Sequence, residues 1–146
     1  MIISSPADIK RLLDESKNIA VVGMSPNVER DSNKVGKYLI DKGYNVIPVN
    51  PTVSEIYGRK CYPSILDIPK DVKVDIVDVF RNPEASKEVV QQSVKISPKA
   101  VWLQLGAESK EVVELALKLN LNLVYGICIM ETHKKIEKGD VSFFIS

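Results

Sequence analysis

Short apolar runs rich in β-branched residues alternate along the chain with segments whose apolar residues recur every three or four positions. The first pattern predicts buried strands and the second predicts amphipathic helices. In chain order the predicted elements are a helix that begins at Ser5-Pro6, a strand at 18–23, a helix from about Asn33 to Gly43, strands at 45–49, around 57–61 and at 74–80, a helix at 84–95, a strand at 100–104, a helix at 109–119, a strand at 121–125 and a last short strand at 141–145.

This regular alternation predicts a three-layer, doubly wound, Rossmann-like α/β fold with a mainly parallel sheet of five or six strands. Pro48 withholds a donor from the strand ladder, so we expect the strand at 45–49 at an edge of the sheet, or Pro48 at a strand end. In such folds, ligands bind beyond the carboxyl ends of the strands, where the strand order reverses. The residues just after each strand are therefore the candidates for a binding site.

The first predicted strand ends at Gly23, where a glycine would let a ligand approach the backbone closely. The N–H groups of the following helix carry a partial positive charge that suits a phosphate. Hydroxyl and cationic side chains lie nearby, at Ser25, Arg30, Ser32 and Lys34. A plain strand-to-helix connection, capped by Asp31 or Ser32, explains the segment about equally well.

The dinucleotide fingerprint Gly-x-Gly-x-x-Gly is absent here, because Ser25 and Val28 stand where the second and third glycines would be. The acidic residue that binds the adenosine ribose of NAD is missing as well. The second strand ends at Val49-Asn50-Pro51, and no carboxylate follows before Glu55. Both halves of the NAD signature fail together, so we expect a nucleotide ligand other than NAD.

Two other strand ends carry candidate ligand groups. Phe80 can pack against an adenine ring or a pantetheine arm, and Arg81 can pair with a phosphate; a core aromatic and a solvated arginine explain them equally simply. Arg81 precedes a helix, where a cation is mildly unfavourable, which favours a compensating partner. Gln104 interrupts an apolar run and needs a hydrogen-bond partner, either a ligand or the neighbouring loop. Trp102 is expected in the core.

Composition and charge narrow the function classes. The chain has 146 residues, 45% of them hydrophobic and 27% charged, so we expect residues 1–146 to form one globular domain. Its formal net charge is +1, without the basic excess of nucleic-acid-binding proteins. Neither a membrane-spanning run nor a secretory signal is recognisable. The sequence therefore predicts a cytoplasmic protein that binds neither nucleic acid nor membrane.

Cysteine and histidine are too few for the common metal or disulfide frameworks. The two cysteines, Cys61 and Cys128, and the single histidine, His133, do not make a four-ligand zinc site. A mixed disulfide with a thiol ligand is conceivable for either cysteine, but nothing nearby in the sequence marks one as reactive. We expect two ordinary buried thiols and no metal site.

Several short motifs occur together in one order along the chain. They are Gly23-Met24-Ser25-Pro26-Asn27, the segment 43–51, Tyr62-Pro63-Ser64, Asp78-Val79-Phe80-Arg81, the segment 102–106, Cys128 and Glu131-Thr132-His133. Over about residues 6 to 135 the chain resembles the small stand-alone CoA-binding proteins, which are similar in fold to the CoA-binding domain of the succinyl-CoA synthetase α subunit. The resemblance implies a module that holds CoA or acyl-CoA at the carboxyl ends of the strands.

The resemblance also implies the residues of the site. They are Gly23, Met24, Ser25, Pro26, Arg30, Ser32, Lys34, Val49, Asn50, Pro51, Val79, Phe80, Arg81, Gln104 and Gly106. CoA carries a pyrophosphate and a ribose phosphate, and the cations that could meet this charge are Arg30, Lys34, Arg59 and Arg81.

No catalytic residue is implied. The synthetase's phosphorylated histidine belongs to a further domain, so its role does not transfer to His133. Glu131 and His133 would share a face on a strand but not on a helix, and a lone surface histidine or a hydrogen-bonded one is the favoured interpretation.

Three hypotheses follow. The leading one is a CoA or acyl-CoA binder without catalysis of its own. The others are a small NAD(P)-linked oxidoreductase and an interaction protein that uses the same fold. Self-association and an acyl-transfer partner protein both remain open.

Overall fold

The computed structural model describes residues 1–140, so the predicted strand at 141–145 lies outside the described residues. Its elements are α1 (Pro6–Glu15), β1 (Asn18–Val22), α2 (Asp31–Asp41), β2 (Asn45–Val49), β3 (Glu55–Ile56), β4 (Arg59–Lys60), a 3₁₀ turn (Ile65–Asp67), β5 (Ile76–Val79), α3 (Pro83–Ile96), β6 (Ala100–Leu103), α4 (Lys110–Lys118), β7 (Leu123–Tyr125) and α5 (Ile129–Glu137).

Five strands form one parallel sheet in the order β2-β1-β5-β6-β7. The chain moves outward from β1 to β2 and then crosses back to β5, so the strand order reverses between β1 and β5. This is the topology of a doubly wound fold, and the predicted Rossmann-like class is confirmed. Strand β2 lies at the edge of the sheet, which is one of the two positions that Pro48 allowed, and the backbone of Tyr62 pairs with its outer side.

Each face of the sheet packs against its own helices. On one face, Ile19 and Val21 of β1 belong to a core shared with α1, α2 and α5. On the other face, Ala20 and Val22 pack toward α3 and α4. Trp102 is fully buried, as predicted, and its indole N–H donates a hydrogen bond of 2.9 Å to the carbonyl of Ile127. The two cores cover both faces and leave the ends of the strands accessible.

Three local features differ from the sequence prediction. The single strand expected around 57–61 is a hairpin of β3 and β4, whose turn residues Tyr57 and Gly58 both have positive φ. Helix α2 begins at Asp31, two residues before the expected start. Helix α5 was not predicted, because its N-cap residue, Cys128, makes no side-chain capping hydrogen bond and the usual serine, threonine, aspartate or asparagine signal for a helix start is missing. Among residues 1–140, no helix has the length and apolar character needed to cross a membrane.

Candidate functional site

A long depression follows the carboxyl ends of the strands, at the edge where the order reverses. It consists of three adjoining compartments, which we call the trough. The outer compartment, of about 230 Å³, lies between the end of β2 and α3. The central one, of about 450 Å³, shares Gly23 and Arg81 with it, and the inner one, of about 260 Å³, shares Phe80 and Leu105 with the central one. The strand ends thus meet in one elongated site.

The central compartment combines cations with an uncapped helix N-terminus. Arg30 is the N-cap residue of α2, and no side-chain oxygen caps this helix, whereas serine or asparagine caps α1, α3 and α4. Arg30 and Arg81 line the compartment, and neither guanidinium pairs with a carboxylate of residues 1–140. Asp31 is the acidic residue of the lining. The local charge balance therefore favours an anion.

Ser32 does not cap α2. Its hydroxyl oxygen instead accepts a hydrogen bond of 3.0 Å from the backbone N–H of Ser25, while the Ser25 hydroxyl accepts one from the N–H of Asn27. These bonds fix the loop after β1 against the first turn of α2. Ser25 and Ser32 both belong to the lining of the central compartment.

Asn33 organises the same loop, although it was not among the candidate residues. Its side chain is 2% exposed, donates to the carbonyl of Ser25 at 2.8 Å and accepts from the hydroxyl of Tyr57 at 2.5 Å. The β3–β4 turn is thereby joined to the loop after β1. The sequence carries no periodic or motif signal for this role, because Tyr57 lies 24 residues away.

The structure requires a glycine at position 23 for a different reason from the one expected. A Cβ on this residue would lie 2.2 Å from the carbonyl oxygen of Phe80, and φ is +86°. The missing side chain therefore makes room for the backbone that follows β5 rather than leaving open space for a ligand. The close approach holds the ends of β1 and β5 together at the centre of the trough.

The candidate residues after β2 divide into lining and supporting groups. Val49 and Pro51 line the outer compartment, together with Pro63 and Ser64, which the pairing of Tyr62 with β2 brings there. Asn50 is a supporting residue, because its side-chain amide donates a hydrogen bond of 2.9 Å to the backbone carbonyl of Met24.

Two of the expected contact residues offer no side chain to the trough. Met24 and Val79 are fully buried in the two cores. Met24 fills the space beside Gly36 of α2. Only the backbone of these residues is at the strand ends. Pro26 is exposed and is not part of the lining of any of the three compartments.

The inner compartment lies between α2, the end of β6 and the start of α5. Phe80 and Gln104 line it, and so does Lys34, which the sequence placed beside the phosphate instead. Glu131 and Cys128, which were not among the candidate site residues, line it as well, and Cys128 is half-buried rather than the buried thiol expected. Gln104 has a partner within the chain, since its side-chain oxygen accepts a hydrogen bond of 3.1 Å from the N–H of Ile129. Gly106 (φ +93°) lies in the lining of the central compartment, with open space around it.

Arg59 was wrongly expected beside these cations. It donates hydrogen bonds to the side chain of Asn45 and the carbonyl of Val46, at the start of β2. The hairpin carries it to the amino ends of the strands, opposite the trough.

His133 lies on α5 and therefore shares no face with Glu131. Its Nδ1 lies 2.7 Å from the hydroxyl of Tyr38, so of the two arrangements that the sequence left open, a surface histidine and a hydrogen-bonded one, the structure has the second. Burial lowers the pKa of His133, and nearby Lys42 acts in the same direction against the opposing effect of Glu137. No group of His, Cys, Asp and Glu within the described part of the chain could hold a metal ion.

Asp78 is buried on β5, between Val21 and Trp102 on the neighbouring strands. Neither carboxyl oxygen has a hydrogen-bond partner among the described residues. Burial raises the pKa of Asp78 well above its ordinary value. Because side chains alternate along a strand, Asp78 lies on the same sheet face as Ile76, the face that packs against α1, α2 and α5, while Val77 and Val79 lie on the other.

Comparison with known proteins assigns this arrangement to a class. Residues 17–134 match the CoA binding domain family, and the chain belongs to that family, which confirms the resemblance seen in the motifs. It is 36% identical to the uncharacterized protein YneT of Bacillus subtilis (strain 168), over 88% of this chain and 94% of that one. The hypothetical protein from Pyrococcus horikoshii OT3 has a TM-score of 0.86 and 43% identity, covering 91% of this chain and 92% of that one.

A longer relative contains a similar segment. The chain is 31% identical to the ADP-forming acetate–CoA ligase I of Archaeoglobus fulgidus, over 87% of this chain. It spans only 21% of the length of that ligase.

Proposed function

We propose that this protein binds CoA or acyl-CoA in the trough and performs no chemistry of its own on it. The observation that carries the proposal is that Arg30 and Arg81 both line the central compartment, beside the uncapped N-terminus of α2. Two cations without carboxylate partners at a helix N-terminus form a suitable place for a pyrophosphate. Membership of the CoA binding domain family supports the same ligand.

The three compartments suit an elongated ligand. In this proposal the backbone at Gly23 and Ser25 and the first turn of α2 hold the pyrophosphate. The adenosine end lies against Val49 and Pro51 in the outer compartment. The pantetheine arm runs past Phe80 into the inner compartment, where Lys34 and Gln104 stand.

The second hypothesis, an NAD(P)-linked oxidoreductase, lacks support at the two places where such a site would be recognised. Neither the glycine fingerprint nor the ribose-binding carboxylate after β2 is present. The ligase activity of the longer relative is likewise not transferred, because this chain matches only a fifth of that protein.

A thermal-shift titration of one preparation with CoA, acetyl-CoA, dephospho-CoA, NAD and NADPH tests the proposal. A ligand that binds the folded state at a hundredfold excess over its Kd stabilises it by about 2.7 kcal/mol. We expect stabilisation by CoA, a weaker effect of dephospho-CoA, and none by NAD. Stabilisation by NADPH without an effect of CoA would overturn the ligand assignment.

Charge reversal locates the site. Arg30→Glu and Arg81→Glu each remove a charge-assisted contact worth about 1.5–3 kcal/mol, so we expect the Kd for CoA to rise about tenfold or more. Lys118→Glu is the matched control, because this exposed residue lies in the last turn of α4 and outside the trough. Unchanged affinity in both arginine variants, with the fold intact, would contradict the proposed site.

A further inference from the structure

A second concave surface lies at the amino ends of the strands, opposite the trough. It consists of two adjoining cavities of about 520 and 250 Å³ that share Ile68, Pro69 and Val72. The larger cavity extends to the last turn of α3, and the smaller one extends to the start of β2 and the β3–β4 hairpin. We call this surface the basal groove. Nothing in the proposed function uses it.

The rim of the basal groove is strongly cationic. Its lining contains five cations and one carboxylate, Asp71; the cations are Arg59, Lys60, Lys70, Lys73 and Lys95. Within residues 1–140, none of the five forms an ion pair. Elsewhere in the described chain, lysines do pair with carboxylates, as Lys37 does with Asp41 and Lys87 with Glu111. In a protein whose formal net charge is only +1, this is a concentrated and uncompensated positive surface.

Three of these cations are held in place by neutral partners. Arg59 donates to the Asn45 side chain and the Val46 carbonyl, Lys73 donates to the carbonyl of Ser97, and the Lys60 ammonium lies 5.2 Å from the centre of the Tyr62 ring. Such contacts order the side chains without neutralising their charge. An anionic partner would therefore meet a partly preorganised rim, which lowers the entropy cost of binding.

The interior of the groove is apolar. Ile68, Val72, Val74 and Ile96 line it, and Leu66 is 41% exposed at its margin. An apolar interior with a cationic rim suits a protein segment that combines acidic residues with a leucine-sized or larger anchor. Nucleic acid is a poorer fit, because single strands stack on aromatic platforms and the one aromatic ring of the lining, Tyr62, lies beneath Lys60.

We propose that the basal groove is a docking surface for an acidic segment of a partner protein that inserts an apolar side chain between the lysines. Because the groove and the trough lie at opposite ends of a parallel sheet, the partner and a trough ligand bind at the same time. The proposal does not depend on the identity of the trough ligand.

The probe is a short fluorescein-labelled peptide with glutamates on both sides of a leucine pair. The control peptide has the same sequence with each glutamate replaced by glutamine. Fluorescence anisotropy in low-salt buffer is expected to show saturable binding of the acidic peptide and binding weaker by about tenfold or more for the glutamine peptide. Added CoA is expected to leave peptide binding unchanged. This result stands whether or not CoA itself binds, so failure of the two proposals can be distinguished.

The decisive variant is Lys70→Glu with Lys95→Glu. Both residues are exposed and no contact holds either side chain, so the fold is expected to survive, which circular dichroism and melting temperature verify. The Kd for the acidic peptide is expected to be about tenfold or more higher in this variant. The matched control, Lys110→Glu at the start of α4, lies outside the groove and is expected to change nothing.

Four results of the binding measurements would overturn the proposal. They are equal binding of the two peptides, unchanged binding by the double variant, displacement of the peptide by CoA, and tighter binding of a single-stranded oligonucleotide at the same lysines. A change of oligomeric state in the double variant, measured by sedimentation, would instead make the groove a contact between copies of this chain and would overturn it as well.

Discussion

The carbonyl oxygen of Phe80 occupies the place beside Gly23 where a side chain would begin, 2.2 Å from the ideal Cβ position. This contact joins the ends of β1 and β5, the two strands between which the sheet reverses its order. The glycine at the centre of the proposed site is thus required first by the packing of the protein's own backbone.

Gly23→Ala is expected to destabilise the protein more than Gly43→Ala. Both glycines have positive φ, but nothing lies within 4 Å of a Cβ at Gly43. The control should therefore lose about 1–2 kcal/mol from backbone strain alone, and Gly23→Ala should lose at least about 1 kcal/mol more from overpacking. Urea denaturation of both variants measures the difference. Equal losses would show that the loop after β5 moves away freely.

Removing Asn33 should loosen the loop that bears Ser25. Asn33→Ala leaves the Ser25 carbonyl and the Tyr57 hydroxyl without their partner, and we expect a loss of about 1–3 kcal/mol in the free energy of unfolding. Tyr57→Phe, which removes only one of the two bonds, should cost less. The Kd for CoA should rise in Asn33→Ala more than in Tyr57→Phe, and the reverse order would be evidence against a role for the Ser25 loop in binding.

Asp78 should make stability depend on pH. In the unfolded chain it ionises near a pKa of about 3.9, whereas burial raises the pKa of Asp78 in the folded chain well above that value. The unfolded state therefore binds fewer protons, and the free energy of unfolding falls as pH rises above about 4, by at most about 1.4 kcal/mol per pH unit. Asp78→Asn has no such titration, so its stability relative to the natural protein should increase with pH.

Urea denaturation of the natural protein and of Asp78→Asn measures this difference, at several pH values from about 4, near the ordinary pKa of aspartate, to about 8. Asp75→Asn is the control, because one oxygen of Asp75 accepts hydrogen bonds from the N–H groups of Lys17 and Asn18. Losing this charged acceptor should lower stability at neutral pH, the opposite sign. A gain from Asp78→Asn that stays constant with pH would contradict the raised pKa.

His133 should titrate below its ordinary value, about 6.5. Burial lowers its pKa in the folded state, so the unfolded state binds more protons between the folded pKa and about 6.5. The free energy of unfolding is therefore not reduced by His133 above about pH 6.5, and it decreases as the pH falls from there to the folded pKa. Because His133 is the sequence's single histidine, one NMR titration of the imidazole protons measures the pKa directly.

Glu137→Gln sharpens this test. The carboxylate of Glu137 raises the pKa of His133, so its removal should move the midpoint further down. A midpoint at or above the ordinary value of about 6.5 in the natural protein would show that the ring is more hydrated than its place between α2 and α5 implies.

Local pattern was sufficient to predict the fold class and most of its elements. Apolar periodicity indicated the strands and helices around the sheet, and Pro48 indicated either an edge strand or a strand end at β2, because missing backbone donors and buried faces are properties of the local sequence. The position of the trough followed from the same pattern, since the carboxyl ends of parallel strands share one edge. Helix α5 was not predicted, because its N-cap residue, Cys128, carries none of the usual capping signals for a helix start.

Only the tertiary structure decided how individual side chains are used. Gln104 finds its partner in the N–H of Ile129, Asn33 joins Ser25 to Tyr57, and Arg59 lies at the end of the sheet opposite Arg81. These outcomes depend on contacts between residues far apart in the chain, which periodicity does not encode. The sequence therefore determined the fold class and the edge of the sheet at which the trough forms, while packing determined which side chains line it.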